Sequence, residues 1–159
     1  MSEKILREHL HKVLNWGDAH ADWKSALAEI PGKARGAKPK GAPYSIWELL
    51  EHARLAQRDI LEFCRNPKYV APDWPSGYWP KTPAPPSAAA WEKSVGEFFR
   101  DLKEMQDLAA DPNTDLYAPI SWGDGQTILR EALLLADHNA YHLGQIVLMR
   151  RLVGAWKKS

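Results

Sequence analysis

The chain holds a single cysteine, Cys64, so it has neither a disulfide framework of its own nor a multi-cysteine zinc site. No apolar run approaches the roughly 20 residues of a membrane-spanning helix. Neither sign of charge dominates: 21 Lys and Arg face 20 Asp and Glu, a formal net charge of +1. A field that weak does not gather a polyanion or an anionic lipid surface, so nucleic acid and membrane are not expected partners. Internal repeats and low-complexity tracts are missing too. The first residues, Ser2-Glu3-Lys4-Ile5-Leu6-Arg7-Glu8-His9, alternate charge and lack the apolar stretch of a secretory signal. With 159 residues, 45% of them apolar, the expectation is one soluble, cytoplasmic domain spanning 1–159.

What the chain has is 12 prolines in clusters, 8 tryptophans and 6 histidines. The prolines leave four free segments, about 2–30, 45–66, 87–110 and 125–154. Proline costs about 3 kcal/mol inside a helix, so these segments read as four helices and the proline clusters as connections. Apolar spacing agrees. The second segment places Leu49, His52, Ala56, Ile60 and Phe63 on one face, and the third Trp91, Val95, Phe98, Leu102 and Met105. Ser45-Ile46-Trp47-Glu48 is a capping-box pattern and Ser87 a candidate N-cap. The fourth segment is apolar nearly all round, which predicts the most buried helix. Gly144 within it predicts a close approach of a neighbouring helix. The fold class is all-α, a four-helix bundle. The stretch from Pro67 to Pro86 is long enough to run the length of the bundle, so that the third helix starts from the same end as the second.

Three histidines occupy inward stripes. His138 and His142, one turn apart, project from one face of the fourth helix, close enough to meet one metal. His52 stands on the second helix where Leu or Ala would otherwise pack. Three buried imidazoles need partners, and a divalent ion satisfies all of them while leaving a fourth position open. No carboxylate shows a comparable inward spacing, so zinc or nickel, with ferrous iron as a third option, is expected before magnesium or calcium. The alternative is three core histidines bonded to backbone carbonyls or waters. His138-Asn139-Ala140-Tyr141-His142 has zinc-protease spacing, but Asn139 stands where that motif needs its glutamate base.

Four further residues are candidate substrate-pocket contacts. Trp16 and His20 lie on the first helix, with His20 also a possible fourth ligand. Asn139 flanks the ligand face, and Gln145 is two turns from His138. Each is also explicable by packing or solvent exposure. Tyr141 beside the ligands is a candidate for fixing ring orientation. Cys64, 12 residues from His52 on one helix, is too distant to share its metal. Trp74, Trp79 and Trp122 fall in connections, where they could cover a pocket mouth or a dimer face.

The run Leu135-Ala136-Asp137-His138-Asn139-Ala140-Tyr141-His142-Leu143-Gly144-Gln145-Ile146, with Trp47-Glu48-Leu49-Leu50-Glu51-His52 upstream, resembles the DinB-like superfamily of bacterial four-helix proteins. The resemblance spans essentially the whole chain in helix order. It implies an up-up-down-down bundle with a long connection between helices 2 and 3, and a three-histidine metal site. It also implies a homodimer, and kinship with S-transferases and isomerases that use a low-molecular-weight thiol as cosubstrate. The function expected on this basis is transfer of such a thiol to a small electrophilic substrate. Two other readings stand beside it: a non-enzymatic, metal-binding stress-response protein, and a hydrolase that uses a metal-bound water.

Overall fold

The structure is a computed structural model that describes residues 2–156. Its regular elements are helical: α1 (Ser2–Val13), α2 (Trp23–Leu27), α3 (Gly32–Arg35), α4 (Ile46–Arg65), α5 (Ala88–Ala110) and α6 (Ile128–Leu152). A short 3-10 turn spans Ser76–Tyr78, and no strand occurs among the described residues. Three of the four long proline-free segments are continuous helices. The capping box is present, with Ser45 Oγ accepting from the Glu48 amide at 3.1 Å and Glu48 Oε2 accepting from the Ser45 amide at 2.8 Å. Ser87 and Thr127 cap α5 and α6 through side-chain oxygens that accept from the Ala90 and Arg130 amides.

The first segment is not one helix. α1 ends after 12 residues, and the chain re-forms as α2 and α3. Asn15, Gly17 and Asp18 are poor helix formers, and Asp22 starts α2 by accepting from the Ser25 amide at 2.7 Å. Leu14, Trp23, Ala26, Leu27 and Ile30 are still buried, with the Trp23 ring 4.3 Å from that of Phe98. Apolar spacing registered their burial, while the local break decided their backbone.

Helix directions follow from side-chain pairs. Arg7 donates to the carbonyls of Ala109 and Asp111, and Gln106 to that of His11, so α1 runs antiparallel to α5. Arg54 pairs with Glu97 and Arg58 with Asp101, four residues further on in both helices, so α4 and α5 are parallel. From His52 to Gln57 on α4 the partners step back from His142 to Asn139 on α6, so these two are antiparallel. In chain order the directions are up, down, down, up. This corrects the up-up-down-down arrangement, which requires two long crossovers. One crossover exists, residues 66–87. It returns to the start of α4, where Ser45 Oγ donates to the Pro83 carbonyl at 2.5 Å. The segment after α1 does not cross back. Arg35–Glu92 and Lys38–Glu48 hold it at the end where α4 and α5 begin.

The most buried helix is α4, with 13 of its 20 residues buried against 11 of 25 in α6. The reason is position: α4 packs between α5 and α6. The flanking apolar residues Leu133, Leu134, Tyr141, Leu148 and Leu152 of α6 face outward. Gly144 is exposed with no atom within 4 Å of where its Cβ would stand, so no neighbouring helix of the same chain approaches it. No helix among the described residues is long and apolar enough to cross a membrane.

Candidate metal centre

Antiparallel packing of α4 on α6 brings His52 against His138 and His142. The ring centroids lie 5.1 Å (52–138), 4.6 Å (52–142) and 4.4 Å (138–142) apart. One nitrogen from each ring falls within 4.8 Å of the other two. His52 and His142 are 5% and 7% exposed, so the cluster is largely out of water.

Hydrogen bonds decide which nitrogens are free. Nδ1–H of His52 donates to the Tyr78 carbonyl at 2.9 Å, and Nδ1–H of His142 to Gln145 Oε1 at 2.7 Å. Both rings are thereby held as the tautomer with an open Nε2 lone pair, as in metal-ligating histidines whose other nitrogen donates to a carbonyl or amide oxygen. The His52 ring lies flat on Trp79, 4.0 Å away at 4°, and Trp79 stacks on Tyr44 at 4.2 Å. Tyr141 meets His142 edge-on at 5.0 Å.

The surroundings of His138 fit a shared cation best. Its Nε2 stands 3.3 Å from His52 Nε2, while its Nδ1 is buried without a hydrogen-bond partner. If Nδ1 holds the proton, two lone pairs face each other across 3.3 Å. If Nε2 holds it, a buried acceptor lacks a donor. A shared cation removes the facing lone pairs, and Asn139 Oδ1, likewise buried and without a partner, is the neighbouring acceptor. The spacing fits too: tetrahedral bonds of 2.0–2.1 Å place two ligand nitrogens about 3.3 Å apart.

Electrostatics favours the neutral, ligating form. Burial pushes the pKa of His138 and that of His142 down to about 4, and the charge of neighbouring imidazoles adds to it. An interaction with Asn139 works against the shift in His138, as the Gln145 bond does in His142. Burial also lowers His52, opposed by the Tyr78 carbonyl. At neutral pH protons therefore do not compete for the three nitrogens.

The cluster forms one wall of a cavity of about 420 Å³, whose other walls are Ala56, Asp59 and Ile60 of α4, Leu134 and Tyr141 of α6, and Trp74 and Tyr78 of the crossover. The other pocket candidates lie elsewhere. Trp16, His20 and Asn139 line a separate cavity of about 460 Å³ beside α2 and α6, which none of the three clustered histidines lines. His20 is exposed, donates Nδ1–H to the Ala21 carbonyl, and is not a fourth ligand. The Asn139 amide donates to Gln57 Oε1 at 2.9 Å, inside the core. Gln145 orients His142. Trp74 and Trp79 do cover the site, whereas Trp122 caps the other end of α4 by donating to the Phe63 carbonyl. Cys64 is buried, and its thiol is pushed up to about 12.

Two contributors escaped the sequence reading. The Tyr78 carbonyl belongs to a residue with no periodic signal. Asp59 corrects the expectation that no carboxylate shares the histidine face. It stands seven residues after His52, the spacing that returns to the same side of a helix.

No curated protein and no solved structure matches the chain. Residues 16–146 match the family model of the DinB superfamily. That span contains α4, α5, most of α6 and all three clustered histidines, and the chain belongs to the DinB superfamily.

Proposed function

We propose that this protein is a metal-dependent enzyme that transfers a low-molecular-weight thiol to a small electrophilic substrate, with His52, His138 and His142 as metal ligands. The carrying observation is three neutral imidazoles converging on the wall of a cavity, with three members in the cluster rather than the four of a structural zinc site. Imidazole donors suit zinc or nickel first, and iron next. A divalent ion there supplies the positive charge that stabilises an anionic sulfur. The chain does the rest. The Tyr78 carbonyl and Gln145 hold two rings in the ligating tautomer, Trp79 fixes the plane of His52, and Ala56, Ile60 and Leu134 exclude water around the electrophile. Cys64 supplies no thiol, because burial keeps it protonated.

In this reading the four long helices form the family's bundle, and two copies pair through α6. Leu148 and Leu152 stand on its exposed face, outside the lining of the histidine cavity. Gly144, between Tyr141 and Leu148, lets a partner helix approach closely.

The test is metal content per chain for wild type and His138→Ala, followed by thiol titration of the cobalt-loaded protein monitored by its visible spectrum. About one metal per chain, lost in the variant, with a spectrum changed by added thiol, supports the proposal. A wild type that stays metal-free after zinc and nickel loading overturns it. Metal binding with a spectrum indifferent to thiols leaves the non-enzymatic and hydrolytic readings instead.

A further inference from the structure

Among the described residues, Asp59 is the one carboxylate lining the cavity of the three histidines. On a regular helix seven residues rise about 10 Å, so it lies that far from His52 along α4. Apart from the histidines, the rest of the cavity wall is apolar and aromatic: Ala56, Ile60, Leu134, Trp74, Tyr78 and Tyr141. It is half-buried and makes no ion pair among the described residues, since the adjacent Arg58 is taken up by Glu62 at 3.3 Å and Asp101 at 3.5 Å. The hydroxyls of Tyr69 and Tyr78 lie near enough to the carboxylate for it to raise both of their pKa values. A half-buried carboxylate in such a wall, with no cationic partner among the described residues, is complementary to a cation from outside.

We propose that Asp59 is a binding subsite for an ammonium group, so that the cavity selects substrates carrying a primary amine remote from the atom that reacts at the histidines. This deepens the thiol-transferase reading and rests on it for the identity of the reacting end. The ammonium pairs with the carboxylate, and the faces of Trp74, Tyr78 and Tyr141 add cation–π attraction. The apolar walls between Asp59 and the histidines accept the body of the molecule. A neutral substrate of the same shape forgoes the ion pair, and an anionic one is repelled. The bound metal and Asp59 then give the cavity a positive and a negative end, which orients a substrate carrying an anionic sulfur and an ammonium.

The experiment titrates three probes of matched shape, 4-phenylbutylamine, 4-phenylbutanol and 4-phenylbutyrate, into zinc-treated full-length protein, with NMR of the Ile60 and Leu134 methyls and the Trp74 indole as readout. Wild type should bind the amine at least tenfold more tightly than the alcohol, with the carboxylate weakest. In Asp59→Asn the amine should fall to the level of the alcohol, and the alcohol should bind as before. Equal affinity of wild type for amine and alcohol overturns the proposal, and so does a preference that survives Asp59→Asn. If the variant does not fold, the wild-type ranking decides by itself. Zinc content, measured on the same samples, separates this proposal from the metalloenzyme reading. An amine preference in protein that binds no zinc keeps the subsite and removes the transferase. One zinc per chain without amine preference does the reverse.

Discussion

Acidification of the metal-free protein should cost it stability well before its carboxylates titrate. His138 and His142 have pKa values held near 4 against 6.5 for an unhindered imidazole. Each unit corresponds to about 1.4 kcal/mol, so either ring alone accounts for roughly 3 kcal/mol. Part of each depression is repulsion from another imidazole, so the two do not add fully, and the pair contributes about 3–6 kcal/mol. The sign follows from where the proton goes. Above pH 6.5 both rings are neutral folded or unfolded, and the contribution is intact. As pH falls from 6.5 toward 4, the unfolded chain takes up protons that the folded one refuses, and stability declines. Domains of this size are stable by about 5–15 kcal/mol, so the loss is a large fraction of the total. The assay is urea unfolding of chelator-treated protein at intervals from pH 7.5 to 5. That window lies above the range in which Asp22, Glu62 and Asp115 titrate, since hydrogen bonding holds all three below ordinary carboxylates. Two protons taken up on unfolding give a slope approaching roughly 2.7 kcal/mol per pH unit. His138→Gln/His142→Gln, neutral at every pH, should flatten most of that slope. An equal slope in wild type and double variant would show that these rings are not held neutral by burial, and would refute the reasoning.

Three further outcomes are expected. Gln57→Ala leaves the Asn139 amide buried without its partner and takes from the Phe98 carbonyl the bond it accepts beside its helical one, which should destabilise the protein by about 1–3 kcal/mol in urea unfolding; an effect below 0.5 kcal/mol would mean that water replaces the amide. Ser45→Ala removes the α4 cap and the anchor to the Pro83 carbonyl, and should cost about 1–2 kcal/mol, read as a melting temperature lower by roughly 2–8 °C. Cys64 should stay unlabelled by a disulfide reagent at pH 8 in the folded protein and release one equivalent after denaturation, because burial raises its thiol to about 12; rapid labelling of native protein would contradict this.

Much of the site was legible in the chain before folding. His52, His138 and His142 displace apolar residues from otherwise regular stripes, and an imidazole there demands a partner. The three continuous helices were equally legible, because proline and capping residues act locally on the backbone. The first segment misled, since the spacing of Leu27 and its neighbours reports burial and not whether the chain between them stays helical. The outward turn of Leu134, Tyr141 and Leu148 was also illegible: hydropathy marks a residue as apolar without saying which side a neighbouring helix occupies.

What the sequence determined by itself is therefore the helical class, the ends of α4, α5 and α6, and the three ligand candidates, all set by interactions within a few residues. Tertiary structure alone decided the rest. It set the helix directions, which depend on where the 66–87 crossover returns. It brought Tyr78 and Trp79 onto His52, a contact between segments 26 residues apart. It also placed Asp59 in the histidine cavity and Trp16, His20 and Asn139 in another, because which face of a helix becomes a pocket wall is settled by the elements that pack around it.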